Sequence, residues 1–227
     1  MARRGERRKQ PWEGYMKRRT LDILFSIGGV LLAALLLVLG LVLRSNADFA
    51  KNYVHDQLSA QEISFKPADA LTEEEAAKPC LVKYAGQAMT SGKQAECYAN
   101  SFIGLHLSEL AVKDDGTAYT YASIGAVQGQ LKADLKTATE AKDPQVAEIQ
   151  TKLDTVNGQR DTLFKGETLR GLLLTSFGFS EFGRKAEQAE LVSYLAALVL
   201  LLASIAGFLH ALRTPKNLAF AAVEPIS

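Results

Sequence analysis

One stretch limits what this chain can fold into more than any other: Ile23 to Leu43, "ILFSIGGVLLAALLLVLGLVL", twenty-one residues without a charge. A helix rises about 1.5 Å per residue, so this run is long enough for the ~30 Å hydrocarbon core of a bilayer. A second run, Leu191 to Leu209, "LVSYLAALVLLLASIAGFL", supplies nineteen more residues of the same kind. Both are expected to be transmembrane helices. The flanks set their direction. The first nineteen residues carry eight Lys/Arg against Glu6 and Glu13, whereas residues 45–190 carry fifteen Lys/Arg against twenty-one Asp/Glu. Positive charge stays cytoplasmic, which puts the basic arm inside, with Trp12 and Tyr15 as membrane anchors at headgroup level. Two crossings return the C-terminus to the cytoplasm, where Arg213 and Lys216 sit beside the apolar run. A cleaved signal peptide ending near "SNA" (Ser45–Ala47) is the competing reading. The run exceeds the about 7–15 residues of a signal-peptide core, which favours the uncleaved anchor.

The expected plan is therefore a cytoplasmic arm (1–22), a first span (23–43), an extracytoplasmic helical domain (44–168), an amphipathic membrane-proximal segment (169–190), a second span (191–210) and a cytoplasmic tail (211–227). The acidic middle argues against nucleic acid as a partner, because phosphate binding needs a basic footprint. The domain reads as all-α. "RSNADFAKNYVHDQLSAQ" has no Gly or Pro and places Ala47, Ala50, Val54, Leu58 and Gln61 at helical spacing, so the first helix continues past Leu43 until Pro67 blocks it. "TEEE" (Thr72–Glu75) is a capping box, with Pro79 interrupting the helix it opens and Gly86 stopping it. Ser91 with Gln94 opens another helix, on which Ala95, Tyr98, Ala99, Phe102, Ile103, His106 and Leu110 form a broad inward face. "KDDGT" is a turn. From Ile124 onward, apolar residues recur every three or four positions on both sides of "KDP", which predicts an antiparallel helical hairpin over 123–164 with a coiled-coil-like seam.

Within "LFKGETLRGLLLTSFGFSEFGRKAEQAE", residues 171–183 are too glycine-broken and too short for a third crossing. Phe177, Phe179 and Phe182, followed by Arg184 and Lys185, suit a foot lying on the bilayer surface; core packing against the first helix is the other reading. Arg170 stands in the apolar part of this stretch. It and the three phenylalanines are candidate partner or lipid contacts, with a snorkelling side chain as the bland account of Arg170. Gly29 with Ala33, and Ala203 with Gly207, are small-xxx-small pairs that let two helices approach, whether within the chain, in a homodimer or with a partner's span.

The two cysteines, Cys80 and Cys97, are equidistant from the loop centre between Ala88 and Met89, so an antiparallel hairpin sets them level. Outside the cytoplasm that arrangement favours a disulfide, worth roughly 3 kcal/mol by loop-closure entropy. Two cysteines lack the further ligands that a zinc site needs. No H-E-x-x-H, C-x-x-C, G-x-S-x-G or phosphate loop occurs. His55, His106 and Glu62 or Glu109 are the right residue types for a two-His-one-carboxylate iron site, but their spacing does not call for one. No catalytic residue, metal ligand or cofactor is assigned.

The spacing of "QEISF", "YAGQAMTSGKQAECYANSFIGLHLSEL", "YTYA" and "LFKGETLRGLLLTSFGFSEFG" resembles a family of uncharacterised actinobacterial membrane proteins with two transmembrane helices. The likeness runs from about Gln57 to the second span and is strongest over Gly166–Gly183. Some members are labelled aromatic ring-opening dioxygenases of the protocatechuate type, which implies iron. The expected function is a non-enzymatic accessory, assembly or interaction subunit of a plasma-membrane or envelope complex, its partners being the bilayer and another membrane protein or itself. The alternative is an extracytoplasmic ligand-binding sensor acting through a partner, and a third reading is the metal-dependent oxygenase.

Overall fold

The computed structural model describes residues 17–215; Trp12 and Tyr15 lie outside the described residues. Among these residues the chain is helical, with isolated bridges at Ser64–Ala88 and Val112–Ala118 in place of strands. Two long helices, α1 (Arg18–Ser59) and α7 (Val146–Arg213), contribute to both of its compact units, one built from residues 46–186 and the other from the chain on either side of them.

In the flanking unit, α1 and α7 meet through small side chains. Gly29 faces Ser204, Gly207 faces Ser26 and Gly40 faces the ring of Tyr194, each too closely for a Cβ to fit without movement. Ala33, Ala197, Ser26, Ser193 and Ser204 are buried between the helices. Gly29, Ala33 and Gly207 thus sit at the contact as their spacing suggests, while Ala203 turns outward and Ser204 takes its place. Arg44 pairs with Glu190 at 3.5 Å, and His210 lies 3.8 Å from Asp22. The outward surface is aliphatic and aromatic, including Phe25, Leu31, Leu35, Val192 and Leu198. A small-residue interior under an apolar exterior is the reverse of a water-soluble helix pair. Both helices are long and apolar enough to cross a membrane.

The unit of residues 46–186 is knit by short helices between the two long ones. After α1 the chain turns at Glu62 (φ 54°) and runs extended, donating from Phe65 N to Gln87 O at 2.9 Å and accepting at Ile63 O from Met89 N at 2.8 Å. Gly86, at φ 71°, provides the left-handed turn that brings residues 86–89 alongside. The capping box forms as expected: the Thr72 hydroxyl accepts from Glu75 N, and the Glu75 carboxylate accepts from Thr72 N. It opens α2 (Glu73–Ala76), and Pro79 then starts α3 (Pro79–Tyr84) from its first position. The Ser91 hydroxyl caps α4 (Gly92–Cys97), which passes through a π-helical turn (Tyr98–Ile103) into α5 (Gly104–Leu110).

That π turn corrects the expected inward face. Underwinding keeps a four-residue spacing in line, so Ala95, Ala99, Ile103 and Leu107 enter the core. Tyr98, Phe102 and Leu110 pack partly buried against that core as expected; the Tyr98, Phe102 and His106 rings lie tilted, 4.6 and 4.5 Å apart, and His106 is exposed rather than buried. After the Lys113–Thr117 turn, α6 (Tyr121–Ala141) ends at Lys142 in the left-handed conformation, and Asp143 accepts from Gln145 N ahead of α7. Gln128 donates to Asn157 at 2.6 Å and Tyr121 meets Phe164, contacts mirrored about Lys142 as two oppositely running helices require.

A further expectation fails over residues 169–183, which form no separate foot. They are continuous helix within α7, despite a cost of about 1 kcal/mol for a glycine in a helix interior. Packing accounts for one of these glycines and for one that precedes them. Gly183 admits Ala50 of α1, and Gly166, just upstream, admits Leu107 of α5. Gly171 and Gly178 meet open space. Leu173 joins the core with Val54, Leu58, Leu81, Met89 and Leu163.

Candidate functional site: an uncharged groove beside an aromatic cluster

Successive helix residues are turned by about 100°, so Arg170 and Phe177 fall on one face of α7, with Leu172, Phe179 and Phe182 on the opposite one. The structure treats the two faces differently. Arg170 donates to Asn100 at 3.3 Å and to Glu167 at 3.4 Å, and Phe177 lies under the Lys93 ammonium, 4.5 Å from its ring centre. Gly92 packs directly on Phe177 and Ser180. Arg170 and Phe177, both candidate contacts by sequence, are thereby engaged within the domain.

Phe179 meets Tyr53 at 5.8 Å and Phe49 at 6.2 Å, edge to face, and these rings close one end of a groove between α1 and α7. The groove encloses about 420 Å3, within the range of small-molecule sites. Val54, Leu58 and Ile63 line one wall, and Leu169, Leu172 and Leu173 the other. No charged side chain lines it. The hydroxyls of Thr175 and Ser176 donate back to Gly171 O and Leu172 O, leaving the amides of Gln57 and Gln61 and the Tyr53 hydroxyl as the polar side-chain groups that could meet a ligand. Beside it Phe182 is 67% exposed and Phe49 60% exposed. Compared with family models, curated proteins and solved structures, the chain matches none. The geometry alone carries the functional argument.

The disulfide Cys80–Cys97 is present, with Cα atoms 5.9 Å apart. Cys97 is buried and Cys80 half-buried, the Ser101 hydroxyl resting 3.2 Å from the Cys80 sulfur. The bond ties α3 to α4 and has the character of a staple.

One polar cluster escaped the sequence reading. Glu75 has no exposed surface, yet it accepts from the Lys66 ammonium at 2.7 Å and lies 3.4 Å from His106 Nε2. Burial pushes its carboxyl up, but the Lys66 and Thr72 hydrogen bonds with the Lys66 and His106 charges outweigh that and hold it below the ordinary carboxylate value. The capping box signalled the helix start; nothing local signalled the partners, which arrive from an extended segment and from α5. His55 pairs with its neighbour Asp56 instead. Among the described residues, no three His, Cys, Asp or Glu side chains converge to hold a metal ion.

Proposed function

We propose that this chain is a two-span plasma-membrane protein of the actinobacterial family it resembles, with both termini cytoplasmic and residues 44–190 outside. Its outer helical domain acts as an accessory or assembly subunit that presents one face of α7 to another integral membrane protein. The observation that carries the reading is the contrast across α7: Arg170 and Phe177 are spent inside the domain, whereas Leu172 and Phe182 are more than half exposed. Contiguous exposed apolar side chains of this kind mark interaction surfaces. The two apolar helices, the basic arm and the disulfide support the topology. A photo-cross-linking residue placed at Phe182 in intact cells tests it, with the same residue at Phe177 as control. One discrete protein adduct at position 182, absent at 177 and lost on Leu172→Asp, is expected. Equal adducts at both positions, or none at 182, would sink the reading.

A second reading, an extracytoplasmic ligand sensor, is favoured by the groove itself. A purified chain whose melting temperature rises with an added small molecule would support it.

A further inference from the structure

We infer that the groove between α1 and α7 is a binding site for an uncharged amphiphile: a long aliphatic chain whose head is a hydroxyl, carbonyl or amide. The inference deepens the sensor reading, on whose groove it rests, and names the ligand class.

Three observations select that class. The first is charge complementarity. The lining residues include no Lys, Arg, His, Asp or Glu, so a phosphate, carboxylate or ammonium seated there would lose its hydration without gaining a counter-charge. The second is how the polar groups are distributed. Thr175 and Ser176 line the groove but bond to their own helix, so that wall offers a ligand little beyond hydrocarbon. Gln57 near the end of α1, Gln61 in the turn that follows it and the Tyr53 hydroxyl keep hydrogen-bonding capacity unspent. Two amides and a phenol on an otherwise apolar wall suit a neutral head that both accepts and donates. The third is size: about 420 Å3 is ample for an alkyl chain or a small ring system. The wall leucines Leu169 and Leu172 are left 40% and 63% exposed, surface that an occupant would cover.

The test uses the full chain in lipid nanodiscs and two photoactivatable probes with the same diazirine-bearing alkyl chain. One ends in a primary alcohol, the other in a sulfonate. Irradiation followed by peptide mapping is expected to place the alcohol label on residues 53–61 and 169–179. Excess unlabelled long-chain alcohol should compete, and the sulfonate should label there about tenfold less. Leu172→Trp, which fills the groove from an exposed position, should abolish this labelling while leaving the melting temperature of the empty protein unchanged. Gln57→Leu with Gln61→Leu serves as the second variant and should weaken the alcohol labelling without raising that of the sulfonate, which still finds no counter-charge. Equal labelling by both probes would overturn the ligand class and leave the groove reading standing. Label confined to residues 23–43 and 191–209 with either probe would overturn the groove reading as well.

Discussion

The two faces of α7 within residues 46–186 are drawn from the same stretch of sequence and have opposite fates. Toward α4 and the π turn, Arg170, Phe177 and Gly92 are closed by hydrogen bonds, a cation–π contact and direct backbone packing. Toward α1, Leu169, Leu172 and Phe179 line an open groove that carries no charge. A face satisfied from within contributes to holding the fold. A face left apolar and open costs solubility without returning stability, which is the physical reason to look for function there.

Adjacent residues give the widest separation. Leu173 is 3% exposed and joins the core, while Leu172 is 63% exposed. Leu173→Ala should cost about 3 kcal/mol, the middle of the range for a buried leucine. Leu172→Ala should stay within about 0.5 kcal/mol, as at an ordinary surface site. Both are read as denaturation shifts of the full chain, and comparable losses at the two positions would erase the distinction between the faces. The staple beneath the engaged face comes next. Cys80→Ala with Cys97→Ala is expected to cost roughly 3 kcal/mol less whatever strain is relieved. Reducing agent should lower the wild-type melting temperature to that of the double variant.

How legible these features were depends on whether their signal was local. The Thr72–Glu75 capping box, the Ser91 cap, the break at Pro79, the Gly86 turn, the hairpin about Lys142 and the cysteine pairing all follow from short-range chemistry and were readable. The π turn was not. No residue in "YANSFI" announces an i→i+5 bond, and that single widening moved His106 out of the core and Leu107 in. The continuity of α7 was missed because glycine was weighed as a helix breaker. Ala50 and Leu107, which make Gly183 and Gly166 useful, are distant in sequence. For the same reason the groove was invisible: its walls are more than a hundred residues apart.

The Glu75 cluster is a further long-range feature, and it links the engaged side of the domain to pH. Because the folded protein holds the Glu75 carboxyl below its ordinary value, the folded state binds the proton more weakly than the unfolded chain. Its contribution is present above the unfolded-state pKa and is lost as pH falls through the folded one. Lys66→Met removes the strongest group opposing burial and should cost about 2 kcal/mol near neutrality, below the full penalty for a buried pair because Lys66 is partly exposed. The deficit should shrink as pH falls and Glu75 becomes protonated in both proteins, measured by denaturation at several pH values. A deficit of the same size at every pH would show that Lys66 acts by packing alone.

The smallest effect bears most directly on the comparison, because Arg170 was singled out by sequence as a partner or lipid contact. Its guanidinium is about one-third exposed and reaches Asn100 and Glu167 over 3.3 and 3.4 Å. Exposed pairs of this length contribute about 0.5–1 kcal/mol. Arg170→Met, which keeps the stem packing, should therefore lower stability by about that much and leave the Phe182 cross-link intact. Phe182→Ala should do the reverse, costing no measurable stability and abolishing any adduct formed from a cross-linker at Phe179. If Arg170→Met instead preserved stability and abolished the adduct, the engaged face would itself be the docking surface, and the assignment of roles across α7 would have to be exchanged.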